Sequence, residues 1–454
     1  MLSKFHRKSV LNMSLFTIAL FLFFTLLTFK LSSQSQYSNI LMLFYLINGF
    51  LFYIAFGYKV TVLDLISPNK MLILGLFLFL MLGPYLGNEY FYIQIDFRLL
   101  FIMTIGIFSL ILGSKVLYLK KNTIKFSIKK TIVSHHWLLI SRFLYLIGLL
   151  VILYYYISVG NIPILQSNAE SFRVEAKMGK GSLLIVAYVF LTVSLAIYQV
   201  YCINSNVKIK KIFFVLAVLG LLGLGYRGLP MQLLLDNFLV YLIFSSKKIN
   251  TFKLIMLLFI TFVCVSLIGY FRATGSVNMG FREFIIPTAW LGTVNLTNLN
   301  LLFNKFTELG HLYFGKSYFI DLFTILPGYQ PNFGTVLKEQ FNLNFDGEGI
   351  SITLLGELLI NFGVTGVIVG MFIIGTFLEL FFLRIVKYSN DDLYILILIL
   401  ISAKFVRVAT GGIAPIFIYY IMPILLLIIG VKFVLIIIFK EGKKTNSEKN
   451  FVSN

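Results

Sequence analysis

The sequence predicts an all-α, polytopic integral membrane protein of about twelve transmembrane helices, with both termini cytoplasmic and a large external loop between spans nine and ten. Three observations carry this. Apolar runs long enough to cross a bilayer, roughly 18 residues or more, recur along the chain. Charged residues are only 12% of the 454, against about 25% in soluble domains, and mean hydropathy is +0.93. Lysines cluster in alternate connecting loops, which fixes orientation. The runs lack the alternating apolar/polar period of an outer-membrane barrel. Residues 1–454 read as a single integral membrane domain.

In order, the spans are expected near 12–30, 40–58, 70–87, 99–118, 138–158, 182–203, 209–225, 229–246, 252–270, 362–383, 392–408 and 412–439. Lys4, Arg7 and Lys8 precede the first, and Lys59 and Lys70 follow the second. Lys120, Lys121, Lys125, Lys129 and Lys130 follow the fourth, and Lys208, Lys210 and Lys211 the sixth. Lys247, Lys248 and Lys253 follow the eighth, Arg384 and Lys387 the tenth, and Lys440, Lys443 and Lys444 the last. All fall on one side, which the positive-inside rule makes cytoplasmic. The net charge of +20 therefore reads as orientation, and no nucleic-acid partner is expected. Segment 284–303 is apolar, but a crossing there would move the later basic clusters outside. Pro287, Asn295, Asn298 and Asn300 also suit lipid poorly, so it reads as an interfacial or re-entrant helix within an external loop, 271–361. Cys202 and Cys264 fall inside spans and read as buried thiols. The first apolar run lacks a small-residue cleavage site and more spans follow, so no cleavable signal peptide is expected.

The interval from Gly269 to Asn361 gathers the polar chemistry. It carries Arg272, Arg282, Glu283, His311, Asp321, the turn-rich run from Pro327 to Asn332, and Asp346 with Glu348, and it closes on Gly356-Glu357 and Asn361. The arginines stand apart from the lysines. Arg98, Arg173, Arg227, Arg272, Arg282 and Arg407 all map to the external side or to external helix ends. A guanidinium grips phosphate oxygens through a planar fork and stays charged when partly desolvated. As a group they suggest an anion site; singly, each could pair with an acid or snorkel to headgroups. Arg227 lies in a Gly225-Tyr226-Arg227-Gly228-Leu229-Pro230 turn between two short spans, where a helix start points N–H groups at an anion. Asp236, two turns further in, is an intramembrane acid and so a functional candidate, with an ion pair to Arg227 or Lys404 as the equally weighted alternative. Lys404 and Arg407 share a helix face and should both turn inward, since a lone charge at mid-bilayer costs about 2.5–3.5 kcal/mol. Glu379 is expected to pair with Lys432.

On these residues the chain resembles the Wzy-type repeat-unit polymerases of bacterial O-antigens and capsules. The likeness spans roughly 215–439 and rests on Gly225-Tyr226-Arg227, Gly269-Tyr270-Phe271-Arg272, the loop with Asp321 and Pro327 to Pro331, Gly349-Ile350-Ser351, Gly356-Glu357, Asn361-Phe362-Gly363 with Gly366, and Arg407.

The resemblance implies transfer of a growing glycan from undecaprenyl pyrophosphate to an incoming lipid-linked repeat unit, on the outer face of the cytoplasmic membrane. Arg227, Arg272, Arg407 and Arg282 would bind the pyrophosphate and stabilise its departure. Tyr270, Trp290, Tyr318, Tyr329 and Gln330 would meet the glycan. The acceptor hydroxyl needs a base, ranked Glu357 and Glu348, then His311 and Asp321. His135 and His136 sit in a lysine-rich cytoplasmic loop and read as solvated. No metal or other cofactor is expected, Asp346 and Glu348 being one acidic pair alone. Membrane lipids, a chain-length regulator and a flippase of the same pathway are the implied partners. An O-antigen ligase, or a transporter or flippase of lipid-linked oligosaccharide, would share much of this pattern. No paired broken-helix repeat of the transporter kind is evident.

Overall fold

A computed structural model of the chain describes residues 36–56, 66–81, 83–84, 95–116, 130–166, 172, 175–176, 180–226, 228–245, 293–306, 312–326, 330–344, 349–388 and 391–451. The helices are α1 (Gln36–Phe56), α2 (Pro68–Leu76, continued by a π turn Phe77–Met81), α3 (Phe97–Val116), α4 (His135–Val159), α5 (Gly181–Asn204), α6 (Ile212–Gly223) and α7 (Gly228–Phe244). Then come α8 (293–306), α9 (Lys316–Phe323), α10 (Phe333–Gln340), α11 (Leu354–Tyr388), α12 (Asp392–Gly411), α13 (Ile413–Ile416) and, after a π turn Phe417–Ile421, α14 (Met422–Phe451). Among the described residues, seven helical stretches are long and apolar enough to cross a membrane: α1, α3, α4, α5, α11, α12 and α13 through α14. The apolar helices α2, α6 and α7 are shorter and fall at predicted spans three, seven and eight. Predicted spans one and nine lie outside the described residues.

Lipid gives helices little hydrophobic reason to associate, so close contact of backbones has to supply the packing. Small residues permit it here. A Cβ on Gly113 of α3 would fall 2.1 Å from the Phe372 carbonyl oxygen, and one on Gly375 of α11 would fall 2.2 Å from that of Leu110. These two helices therefore cross glycine to backbone, with Thr376 Oγ1 donating to the Gly113 carbonyl at 3.2 Å. Gly75 of α2 meets the Val406 carbonyl of α12 in the same way. Around these crossings one apolar core gathers α1, α2, α3, α8 and α11, and a second gathers α4, α5, α7, α12 and α14.

Polar side chains then pin the ends. Asp392, fully buried, takes the backbone amides of Thr131 and Ile132 and Asn204 Nδ2 at 2.7 Å, while Asp391 caps α12 through the Leu393 amide. A small separate core of Leu302, Phe333, Leu337, Ile350, Ile352 and Ile360 underlies the loop helices. Its seam is two glycines: Ile350 N donates to the Gly334 carbonyl, and a Cβ on Gly349 would fall 2.5 Å from Gly334 and Thr335 backbone.

One expectation, for Glu379, is corrected, and two others gain detail. The helix expected as the tenth span, 362–383, is preceded by a helical segment from Leu354 and set off from it by a break at Gly363, whose φ of 70° and ψ of −164° only glycine adopts readily. That break frees the carbonyls of Ile360 and Asn361, which accept from Tyr313 and Phe314 and so tie the loop to the helix. Glu379 does not pair with Lys432. It accepts from Asn69 Nδ2 at 3.3 Å, whereas Lys432 lies over the Tyr394 ring and donates to its hydroxyl. Arg98 takes the acid-pairing alternative open to each arginine singly: it forks onto Asp96 in an exposed ion pair, 2.7 Å at its closest, and Asp96 is held below its ordinary range by it.

Candidate functional site

The site forms where the α6–α7 turn meets the end of α12 and the start of α13. Gly225 takes a positive φ of 78°, closing the turn, and α7 begins at Gly228. Pro230 sits in the first turn of α7, where a missing N–H leaves no helical bond unmade. With 12 and 17 residues, α6 and α7 reach only roughly 18 and 26 Å, short of the roughly 30 Å core.

Below the turn, Asp236 and Lys404 form an ion pair with both side chains fully buried. Lys404 is one of the two partners expected for Asp236; the other, Arg227, lies outside the described residues. Tyr188 Oη donates to Asp236 Oδ2 at 2.8 Å, and Gln232 Nε2 bridges Asp236 Oδ1 to the Ala403 carbonyl. Lys404 Nζ also donates to Tyr188 Oη. Every charge and most lone pairs are answered, the condition under which a buried pair is tolerable.

Arg407, one turn along the same face of α12, is different. Among the described residues no carboxylate pairs with it, and its buried Nη1 has no hydrogen-bond partner. Its guanidinium lies over the Tyr420 ring, 4.6 Å from the centroid, and Nη2 approaches the first residue of α7, 3.7 Å from where a Gly228 Cβ would stand. A cation with no acidic partner among the described residues thus stands beside the start of α7, the positive end of a helix dipole. A guanidinium and a helix start each favour an anionic neighbour on general electrostatic grounds. As expected, Lys404 and Arg407 turn toward the protein, Lys404 wholly and Arg407 in part.

Among the described residues no arginine pairs with Glu357, which lies at the head of α13. Its Oε2 accepts from Ile413 N at 2.6 Å and Oε1 from Ala414 N at 3.4 Å. Gly412 precedes that helix start with a φ of 79°, and a Cβ there would fall 2.9 Å from Glu357 Oε2. A carboxylate on orphan amides is an N-terminal cap. Nearby, Ser351 Oγ donates to the Thr410 carbonyl at 2.6 Å, and Asn361 bonds Ser317 Oγ, the Glu357 carbonyl and Gly315 N.

Asp321 sits on α9, buried, with Oδ1 accepting from Phe333 N at 2.9 Å. Burial lifts its carboxyl to about 6 from the ordinary 3.8, against the pull of that amide. Glu357 lies within electrostatic reach of both Asp321 and Tyr318, and burial followed by that charge pushes the Tyr318 phenol well above its usual range. Thr324 receives a hydrogen bond from Tyr419, so α9 is fastened to the same π turn that carries Tyr420. Gln330 is exposed ahead of α10. Arg227, Arg272, Arg282, Tyr270, Trp290, Tyr329, His311 and Glu348 lie outside the described residues. Tyr188, Gln232 and Tyr420 were not anticipated; Gln232 alone left a trace, four residues ahead of Asp236 on one helix face.

Fold and site together define a polytopic helical membrane protein with, at a helix start, a guanidinium that has no acidic partner among the described residues. The model of the O-antigen polymerase family matches residues 11–421, nearly the whole chain, and the chain belongs to that family. Membership makes it a glycosyltransferase-like polymerase of polysaccharide repeat units, acting on lipid-linked oligosaccharide in a membrane. No curated protein and no solved structure matches the chain.

Proposed function

We propose that the protein transfers a growing glycan from undecaprenyl pyrophosphate to an incoming lipid-linked repeat unit at the outer face of the cytoplasmic membrane, and that Arg407 beside the Gly225–Gly228 turn holds the pyrophosphate. The supporting observation is Arg407's lack of any acidic partner among the described residues, with Nη1 buried and unbonded. Arg227 adjoins the same turn in sequence; Arg272 and Arg282 extend the set.

In the reaction, the acceptor hydroxyl loses its proton to a base and its oxygen bonds the anomeric carbon. The bond from that carbon to the pyrophosphate oxygen breaks, and the lipid pyrophosphate leaves with the electron pair. Arg407 offsets the charge growing on that leaving group. For the base, Asp321 now ranks ahead of Glu357. Its carboxyl at about 6 suits proton transfer near neutral pH, whereas both Glu357 oxygens already hold amides of α13. Glu348 and His311 remain in the external loop as further candidates. A chain-length regulator and a flippase are the expected functional neighbours.

The test is deletion of the gene in its host with inspection of the surface glycan. A single capped repeat unit supports polymerisation. Complete loss of attached glycan would point to ligation, and lipid-linked units trapped inside would point to transport.

A further inference from the structure

We propose that Tyr420 is the positioning residue for Arg407, setting the plane and aim of its guanidinium while leaving its charge unspent. This rests on the reading of Arg407 as an anion-binding group.

A long arginine side chain with no acid beside it has many rotamers open to it. Here the guanidinium lies over the Tyr420 face, with Nη2 3.7 Å from where a Gly228 Cβ would stand. Tyr420 is itself fixed. Pro423 has no N–H to return to the Tyr419 carbonyl, and the helix widens into the π turn Phe417–Ile421 just before it. That turn sends Tyr419 to Thr324 and Tyr420 inward, where its ring meets Tyr188 edge-on at 5.5 Å and 83°. Tyr188 is anchored in turn by Asp236 and Lys404. A rigid line therefore runs from the buried ion pair through two rings to Arg407.

The chemistry explains why a ring serves better than a carboxylate. An acid would hold Arg407 equally still but would neutralise it and compete with an arriving phosphate. An aromatic face attracts the cation through its quadrupole and carries no net charge. The guanidinium edge, with its fork of donors, stays available.

The experiment measures chain growth from lipid-linked repeat units by the full-length protein in liposomes, with melting temperature recorded for every variant. Tyr420→Leu should lower kcat/KM about tenfold, the scale of a desolvated cation–π contact, and Tyr420→Phe should restore it. Tyr420→Met serves if the leucine variant does not fold. In an Arg407→Lys background, Tyr420→Leu should add little beyond the lysine variant's own loss. A wild-type rate for Tyr420→Leu while Arg407→Ala is inactive would overturn this inference alone. Equal damage from Tyr420→Phe would also overturn it, since the hydroxyl would then matter and not the ring. An active Arg407→Ala would instead remove the anion site itself.

Discussion

Lys404 and Asp236 face each other across α12 and α7 with neither side chain exposed to solvent or lipid. Such a pair is a weak contributor when intact and a heavy loss when broken, because the survivor keeps its charge in a low dielectric. Lys404→Met should therefore destabilise by about 3–5 kcal/mol, and Lys404→Met with Asp236→Leu by clearly less. Thermal unfolding in detergent checks this. Additive losses for the two changes would contradict it.

The glycine crossing of α3 and α11 makes a second expectation. With 2.2 Å between a Gly375 Cβ and the Leu110 oxygen, Gly375→Val must push the helices apart, at a cost of about 1–3 kcal/mol. Gly430, where a Cβ would meet nothing within 4 Å, should accept alanine without loss. Protein yield and melting temperature decide; a Gly375→Val variant as stable as the parent would refute the contact.

Asp321 gives a pH dependence with a definite sign. Its folded-state value of about 6 lies above the ordinary 3.8, so the fold retains a proton that the unfolded chain has released. The contribution is fully present below about pH 4 and is lost as pH rises through about 6, a difference of about 3 kcal/mol. Asp321→Asn keeps the acceptor for Phe333 N and removes the titration. Its stability advantage over wild type should grow between pH 4 and 6 and then level off, while chain growth falls if Asp321 is the base. A constant difference across that range would show that Asp321 does not titrate there.

Glu357 can be separated into cap and base by two substitutions. Glu357→Gln keeps one acceptor for the α13 amides; Glu357→Ala keeps none and should cost about 1–2 kcal/mol. As a cap, the glutamine variant stays active and the alanine variant is merely less stable. An inactive but well-folded Glu357→Gln would return Glu357 to the head of the base candidates.

Much of the bundle was legible because lipid enforces a simple code. Apolar length located the helices, and the cost of a lone charge required Asp236 and Lys404 to find a partner and turn inward. Tyr188 and Tyr420 were illegible for the opposite reason. In a chain with 25 tyrosines and 48 phenylalanines, an aromatic residue in an apolar run carries no sign of which face it takes. Glu379 was assigned to Lys432 because both sit near the same predicted membrane boundary, yet its partner is Asn69, 310 residues away. Glu357 was ranked first as a base since nothing in its own segment announces that Gly412 will start a helix against it. The break at Gly363 hid the true beginning of α11, because the residues before it read as loop.

The most direct test is the rate of glycan elongation by purified protein in liposomes, comparing Arg407→Ala with Arg98→Ala, whose guanidinium is exposed and already paired to Asp96. Removing the Arg407 guanidinium should slow elongation by about 10²-fold or more with the melting temperature little changed, while the Arg98 variant elongates normally. Undiminished elongation by Arg407→Ala would contradict the assignment of the pyrophosphate site.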